Sequence, residues 1–256
     1  MSKPIVGVQL FTLREYCKSL EDFQKTIKKV ADMGYPCVQI SGVANVSDED
    51  VIKVVEDNGL TIGSTHVGWN QFTDDTDALI TKHELWKCKH PAIGGIHGAK
   101  AGPEGIREFI KELAPVAEKL KAAGMDFSYH NHSHEFVKYD GKSIMDILFE
   151  ETSADQLNFE IDTYWVQHGG SDPAMWIEKC KGRIPVVHYK DMSITADREQ
   201  RFAPVGEGNL NWERIVQATL DVGAEYIFIE QDQCYDQDPF DALAASFRNL
   251  QKWGLV

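Results

Sequence analysis

Residues 127–136 read FSYHNHSHEF, an apolar start that runs into His130, His132, His134 and Glu135 within six positions. A loop after a strand needs only Asn, Gly or Asp. Imidazoles and a carboxylate at this density therefore belong either to a solvated turn or to the wall of a site that binds a cation or moves protons. Comparable side chains close other short apolar runs: Gln9, Gln39 with Ser41, His66, His97, Asp162, His188 with Lys190, and Glu230. A mixed nitrogen and carboxylate set suits Mn²⁺, Co²⁺, Zn²⁺ or Mg²⁺. Groups this far apart in sequence can act together only if the fold gathers them.

The elements that would do so alternate regularly. Strand-like runs are expected near Ile5–Leu10, Cys37–Ser41, Thr61–His66, Ala92–His97, Asp126–Asn131, Leu157–Asp162, Ile184–Lys190 and Tyr226–Gln231. Between them lie stretches of helical spacing, such as Leu20–Met33 and Ile106–Ala123, the latter followed by Gly124 where a C-cap glycine belongs. Ser47 with Asp50, and Asp172 with Pro173, are helix starts. Runs such as YIFI and IPVV suit parallel strands buried on both faces. An open doubly wound sheet would show a glycine-rich phosphate turn after the first strand, and VQLFTLRE has none. The expected fold is a single (β/α)8 TIM barrel over residues 1–256. In that fold the catalytic groups sit at the C-terminal strand ends, so Asp162, His188 and Glu230 would converge at the barrel mouth.

Composition narrows the partners. With 40 acidic against 26 basic side chains, the net charge of −14 would repel phosphate backbones and anionic lipid, so neither nucleic acid nor membrane is an expected partner. Five cysteines lack any Cys-x-x-Cys spacing, which reads as reduced thiols. No run approaches the ~20 apolar residues of a membrane span and no signal-like segment opens the chain, so a cytoplasmic location is expected.

The chain resembles the xylose isomerase-like barrel superfamily, in the branch of sugar phosphate isomerases and epimerases. The residues that carry this are GVQLFTLRE, GYPCVQISG, YHNHSHEF, FEIDTYW, VVHYKD, PVGEGNLNW and IEQD, in that order across nearly the whole chain. The resemblance implies a divalent-metal isomerase or epimerase acting on a ketose, keto-sugar or related polyol, by proton abstraction next to a carbonyl through a metal-stabilised enediolate. It places Asp162, His188 and Glu230 among the metal ligands. The fifth strand departs from the commonest family pattern, because His130 stands where a Glu usually does. Glu135 is then the expected fourth ligand and, with Glu230 and His132, a catalytic group; His130 as a direct ligand is the alternative. A histidine on that face could equally expel a hydroxyl, as in the inosose dehydratases, so a dehydratase or lyase on an inosose or 3-keto-sugar is the second reading. A class II apurinic endonuclease is a third, disfavoured by the charge.

His66, His130, Lys190, Arg201 and Trp165 are the expected substrate contacts. Each has a plainer alternative: a backbone hydrogen bond for His66, a rim ion pair with Asp191 for Lys190, a charged loop for Arg201, core packing for Trp165. Phe11 and Trp69 could form an apolar wall for the sugar or pack in the core. His83, His90 and His168 show no convergent partners in the sequence, and Glu207, between glycines, reads as part of a tight turn. Barrels of this kind often pair, so a homodimer or higher homo-oligomer is expected.

Overall fold

The computed structural model describes residues 3–256. Its eight parallel barrel strands follow one another in plain chain order: β1 (Ile5–Gln9), β2 (Cys37–Ile40), β3 (Thr61–His66), β4 (Pro91–Ile93), β5 (Ser128–His130), β6 (Asn158–Asp162), β7 (Val186–Tyr189) and β8 (Tyr226–Ile229). Pairing of β8 with β1 closes the ring, as the alternating pattern led one to expect. The fourth strand is shorter than its sequence suggests. Gly94 and Gly95 follow Ile93, Gly95 turns to φ +94, and His97 is left exposed beyond the break.

Helix boundaries follow local chemistry. Ser47 Oγ accepts from the Asp50 amide at 3.1 Å to start Asp48–Asp57. Asp172 caps Pro173–Lys179, with proline at the first helical position. Pro103–Ala122 ends before Gly124, whose φ of +73 suits a residue without Cβ. Two short hairpins were not foreseen: Lys138–Tyr139 with Lys142–Ser143, and Asp191–Ile194 with Gln200–Ala203. Among the described residues, no helix is long and apolar enough to cross a membrane. The five cysteines are free thiols.

Strand alternation divides the side chains between two environments. Val8, Val38, Phe159, Val187 and Ile229 join the apolar shell that includes the helices. Inside, toward the strand starts, Cys37, Val186 and Phe228 pack with Tyr226 as an apolar plug. The Tyr226 and Phe228 rings stack 5.9 Å apart at 8°. Gly7 and Gly63 make room for them, since a Cβ at either would lie 2.6 Å from the Phe228 or the Tyr226 ring. Toward the strand ends the interior changes to Gln9, Gln39, Ser64, His130, Glu160, Asp162, His188 and Lys190, all buried.

A bulge in β3 helps to set that polar layer. Val38 pairs with Ile62, but Gln39 pairs with Ser64, leaving Gly63 as the extra residue. A one-residue slip turns all later side chains to the other face. Ser64 and His66 thereby point into the barrel, while Thr65 points outward and bonds His83 at 2.8 Å.

Candidate active site

Asp162, His188, Glu230 and His130 bring ligand atoms within 4.8 Å of one another at the strand ends, and all four are buried. Their spacing follows from the strands: Asp162 lies opposite His188 in the β6–β7 pairing, and Glu230 directly follows β8. His188 Nδ1 is 2.9 Å from Glu230 Oε2 and 4.0 Å from Asp162 Oδ2; His130 Nε2 is 3.9 Å from the same Asp162 oxygen. The Lys190 ammonium, also buried, lies 3.0 Å from Asp162, 2.9 Å from Glu230 and 2.9 Å from Asp232.

These charges set one another's protonation. Burial alone would raise the pKa of Glu230, but Lys190 and His188 hold it well below the usual carboxylate range. Burial would lower Lys190, yet Asp162, Glu230 and Asp232 push it well above its ordinary value, so it stays an ammonium. Asp162 is raised to about 6, chiefly by burial. His188 is raised to about 10 because Glu160 and Glu230 outweigh its burial. His130 is pulled down to about 3 by burial and is neutral. Two carboxylates and two imidazoles within 4.8 Å of one another form a donor set that fits one divalent cation; Asp162 Oδ2 accepts no hydrogen bond, its nearest cationic neighbour being Lys190 at 3.0 Å.

Beneath this set is Glu160, which the sequence reading passed over. It is fully buried, receives hydrogen bonds from Gln39 Nε2 at 2.9 Å and Ser64 Oγ at 3.3 Å, and contacts His66, His130 and His188. Burial would raise its pKa, but the His188 and His66 rings hold it well below the carboxylate range. The available signal was strand alternation in FEID, which puts Glu160 and Asp162 on one face.

The fifth-strand loop differs from expectation. Glu135 does not join Asp162, His188 and Glu230. Its carboxylate accepts from the Tyr129 hydroxyl at 2.9 Å and the His132 amide at 2.8 Å, and lies 3.2 Å from His134 Nε2. With one donor from β5 and one from its own turn, it braces the loop from behind, and His130 is the fifth-strand residue beside Asp162. Burial raises the Glu135 pKa.

A cavity of about 320 Å³ opens above the cluster, lined by Phe11, Ser41, His66, Gly94, His97, His130, His132, Lys190, Glu230 and Asp232. His66, His130, His132 and Lys190 thus gather as expected, with Phe11, while Asp232 was not anticipated. Burial lowers the pKa of His132, and neighbouring His130 lowers it further. Trp165 stands beside this wall, its ring 5.2 Å from that of His132 and 5.6 Å from Lys190 Nζ, and its Nε1 is buried without a partner.

Other expected contacts lie elsewhere. Arg201 is on the outer hairpin strand, 3.5 Å from Glu199 and over the Tyr235 ring at 4.8 Å, so it does not line the cavity. Trp69 packs on Phe72, Phe109 and Phe127 in the core. Asp191 does not pair with Lys190; it accepts from the amides of Met192, Gly206, Gly208 and Leu210 and from Trp212 Nε1, fastening the loop that contains exposed Glu207. His90, given no partner in the sequence reading, lies 2.9 Å from Asp126 and 3.3 Å from Glu225.

Comparison with known proteins places the chain by family. Residues 12–253 match the xylose isomerase-like TIM barrel model, and the chain belongs to that family. A sugar phosphate isomerase/epimerase from Parabacteroides distasonis ATCC 8503 superposes with a TM-score of 0.82 at 24% identity, covering 100% of each chain. An L-ribulose 3-epimerase superposes with a TM-score of 0.74 at 18% identity, over 100% of this chain and 95% of that one. An inosose dehydratase from Lacticaseibacillus casei is 24% identical over 136 residues, and the match spans 47% of this chain and 45% of that relative's length.

Proposed function

We propose that the protein is a divalent-metal-dependent sugar isomerase or epimerase acting on a ketose, keto-sugar or related polyol by proton abstraction next to a carbonyl. The observation that carries this reading is the buried set Asp162, His188, Glu230 and His130 directly below a cavity of monosaccharide size. Those four residues would hold the ion. When bound there, a divalent cation supplies the positive charge that a developing enediolate needs.

The remaining chemistry belongs to the chain. Glu230, kept ionised by Lys190 and His188, is the carboxylate positioned to take the proton. The Lys190 ammonium adds a second positive charge at the cavity wall. His66, His130 and His132 line the cavity where the sugar would sit. Phe11 supplies apolar surface beside them.

One observation favours a second reading, a dehydratase or lyase on an inosose or 3-keto-sugar. With Glu135 held behind β5, that wall offers no second carboxylate opposite Glu230 to return the proton on the other face, as an epimerisation would use, whereas a dehydration needs only the one base. The L. casei relative bears the name inosose dehydratase, in keeping with this alternative. Both readings share the first proton abstraction. Incubating keto-sugars and inososes with the metal-supplemented protein in D₂O separates them. The primary reading expects deuterium in a product of unchanged skeleton, the second expects loss of water, and neither event across the panel would defeat both.

A further inference from the structure

The function just proposed makes no use of Glu160, although it is the carboxylate with the most imidazole neighbours in the barrel. Its Oε1 hydrogen-bonds His66 Nε2, lies 2.8 Å from His188 Nε2 and 3.4 Å from His130 Nδ1. Its Oε2 accepts from Gln39 Nε2 at 2.9 Å and Ser64 Oγ at 3.3 Å. Each imidazole thus turns one nitrogen toward Glu160 and the other away. For His188 the opposite nitrogen, Nδ1, faces Glu230 and Asp162; for His130 it is Nε2, facing Asp162.

A neutral imidazole carries one N–H, and only its other nitrogen offers a lone pair to a cation. For His188 the surroundings fix the choice. Nε2 meets two acceptors, Glu160 Oε1 and Gln39 Oε1 at 2.6 Å, while Nδ1 meets Glu230 Oε2 at 2.9 Å, so when an ion displaces the Nδ1 hydrogen it is Nε2 that keeps one. Gln39 cannot flip to offer its amine there, because its Nε2 donates to Glu160 and Ser64 and its Oε1 accepts from Gln9 at 2.9 Å.

We propose that Glu160 is a positioning residue that holds His188 in the tautomer whose lone pair, on Nδ1, faces Asp162 and Glu230. The proposal rests on the metal-dependent reading of the same site. Although Glu160 also meets His66, His130 and His188 within ligand distance of one another, its oxygens are already taken by side-chain donors, and it does not line the cavity. It therefore acts through the histidines, as a carboxylate behind a ligating imidazole does.

The test compares wild type with Glu160→Gln, which keeps the shape and removes the charge. Co²⁺ binding is measured by calorimetry on folded protein, and histidine tautomers by ¹⁵N–¹H NMR. The expected result is affinity weakened about 10–100-fold, and a wild-type His188 that carries its hydrogen on Nε2 when the ion is bound. Equal Co²⁺ affinity in wild type and variant overturns the role of Glu160 while leaving the metal site standing. No Co²⁺ binding by wild type overturns the metal-dependent reading and this inference with it. Should the variant fail to fold, the wild-type tautomer still decides, and a His188 hydrogen on Nδ1 in the ion-bound protein overturns the proposal.

Discussion

The two ends of the barrel interior are built from the same strands yet obey opposite rules. Toward the strand starts, β8 contributes Tyr226 and Phe228, β7 contributes Val186, and glycines at 7 and 63 clear space for the rings. Two residues beyond Val186 and Phe228 the same face carries His188 and Glu230, and four beyond Val186, just past β7, it carries Lys190. The plug gains stability from apolar burial, roughly 1.5–3 kcal/mol for a large side chain. The mouth carries buried charge, which costs free energy unless every charge meets a partner. The strand scaffold thus concentrates its stability at one end and its chemistry at the other.

The largest effect should appear at the mouth. Glu230→Gln should lower turnover on the true substrate by about 10²–10⁴-fold in protein that is still folded; undiminished turnover would remove Glu230 from the reaction. At the plug the pattern should invert. Phe228→Ala should cost about 3–5 kcal/mol in denaturant unfolding, while the protein that remains folded keeps its ion and its turnover per site. If Phe228→Ala instead abolished ion binding in folded protein, the separation between the two ends would be wrong.

A smaller effect concerns His90, near the strand starts. Burial would lower its pKa, but Asp126 and Glu225 raise it to about 9, above the ordinary value of about 6.5. Because the folded value is the higher one, this stabilisation is fully present below about pH 6.5 and is lost as the pH rises toward 9. With Glu225 half exposed and screened, its size should be about 1–2 kcal/mol. Unfolding midpoints of wild type and His90→Gln across pH 6 to 9.5 should converge at the alkaline end, and parallel curves would exclude the ion pair.

The smallest effect on ion content should come from Glu135→Gln. As a loop brace, Glu135 can lose its charge at a cost of about 1–2 kcal/mol in stability with the ion retained. Loss of the ion in that variant would restore Glu135 to the ligand set.

The fold was legible because burial on both faces makes parallel strands nearly continuous apolar runs, and because each run ends in a side chain too polar for the core. Asp162, His188 and Glu230 stood out for that reason. Glu160 did not, since it lies inside a strand rather than at its end, and only the two-residue alternation with Asp162 betrays its direction. Nor could sequence spacing say which way the loop after His130 would fold; the nearby Tyr129 hydroxyl and His132 amide decided that for Glu135. The Gly63 bulge that aims His66 inward depends on the β2–β3 pairing, which a single strand read alone does not reveal.

On the proposed reading, Asp162, His188, Glu230 and His130 together hold one divalent cation. Metal analysis of purified wild type beside Asp162→Asn, after incubation with Mn²⁺ and removal of excess ion, tests it most directly. About one ion per wild-type chain is expected, with a marked loss in the variant. Full ion content in folded Asp162→Asn, or none in wild type, would contradict it.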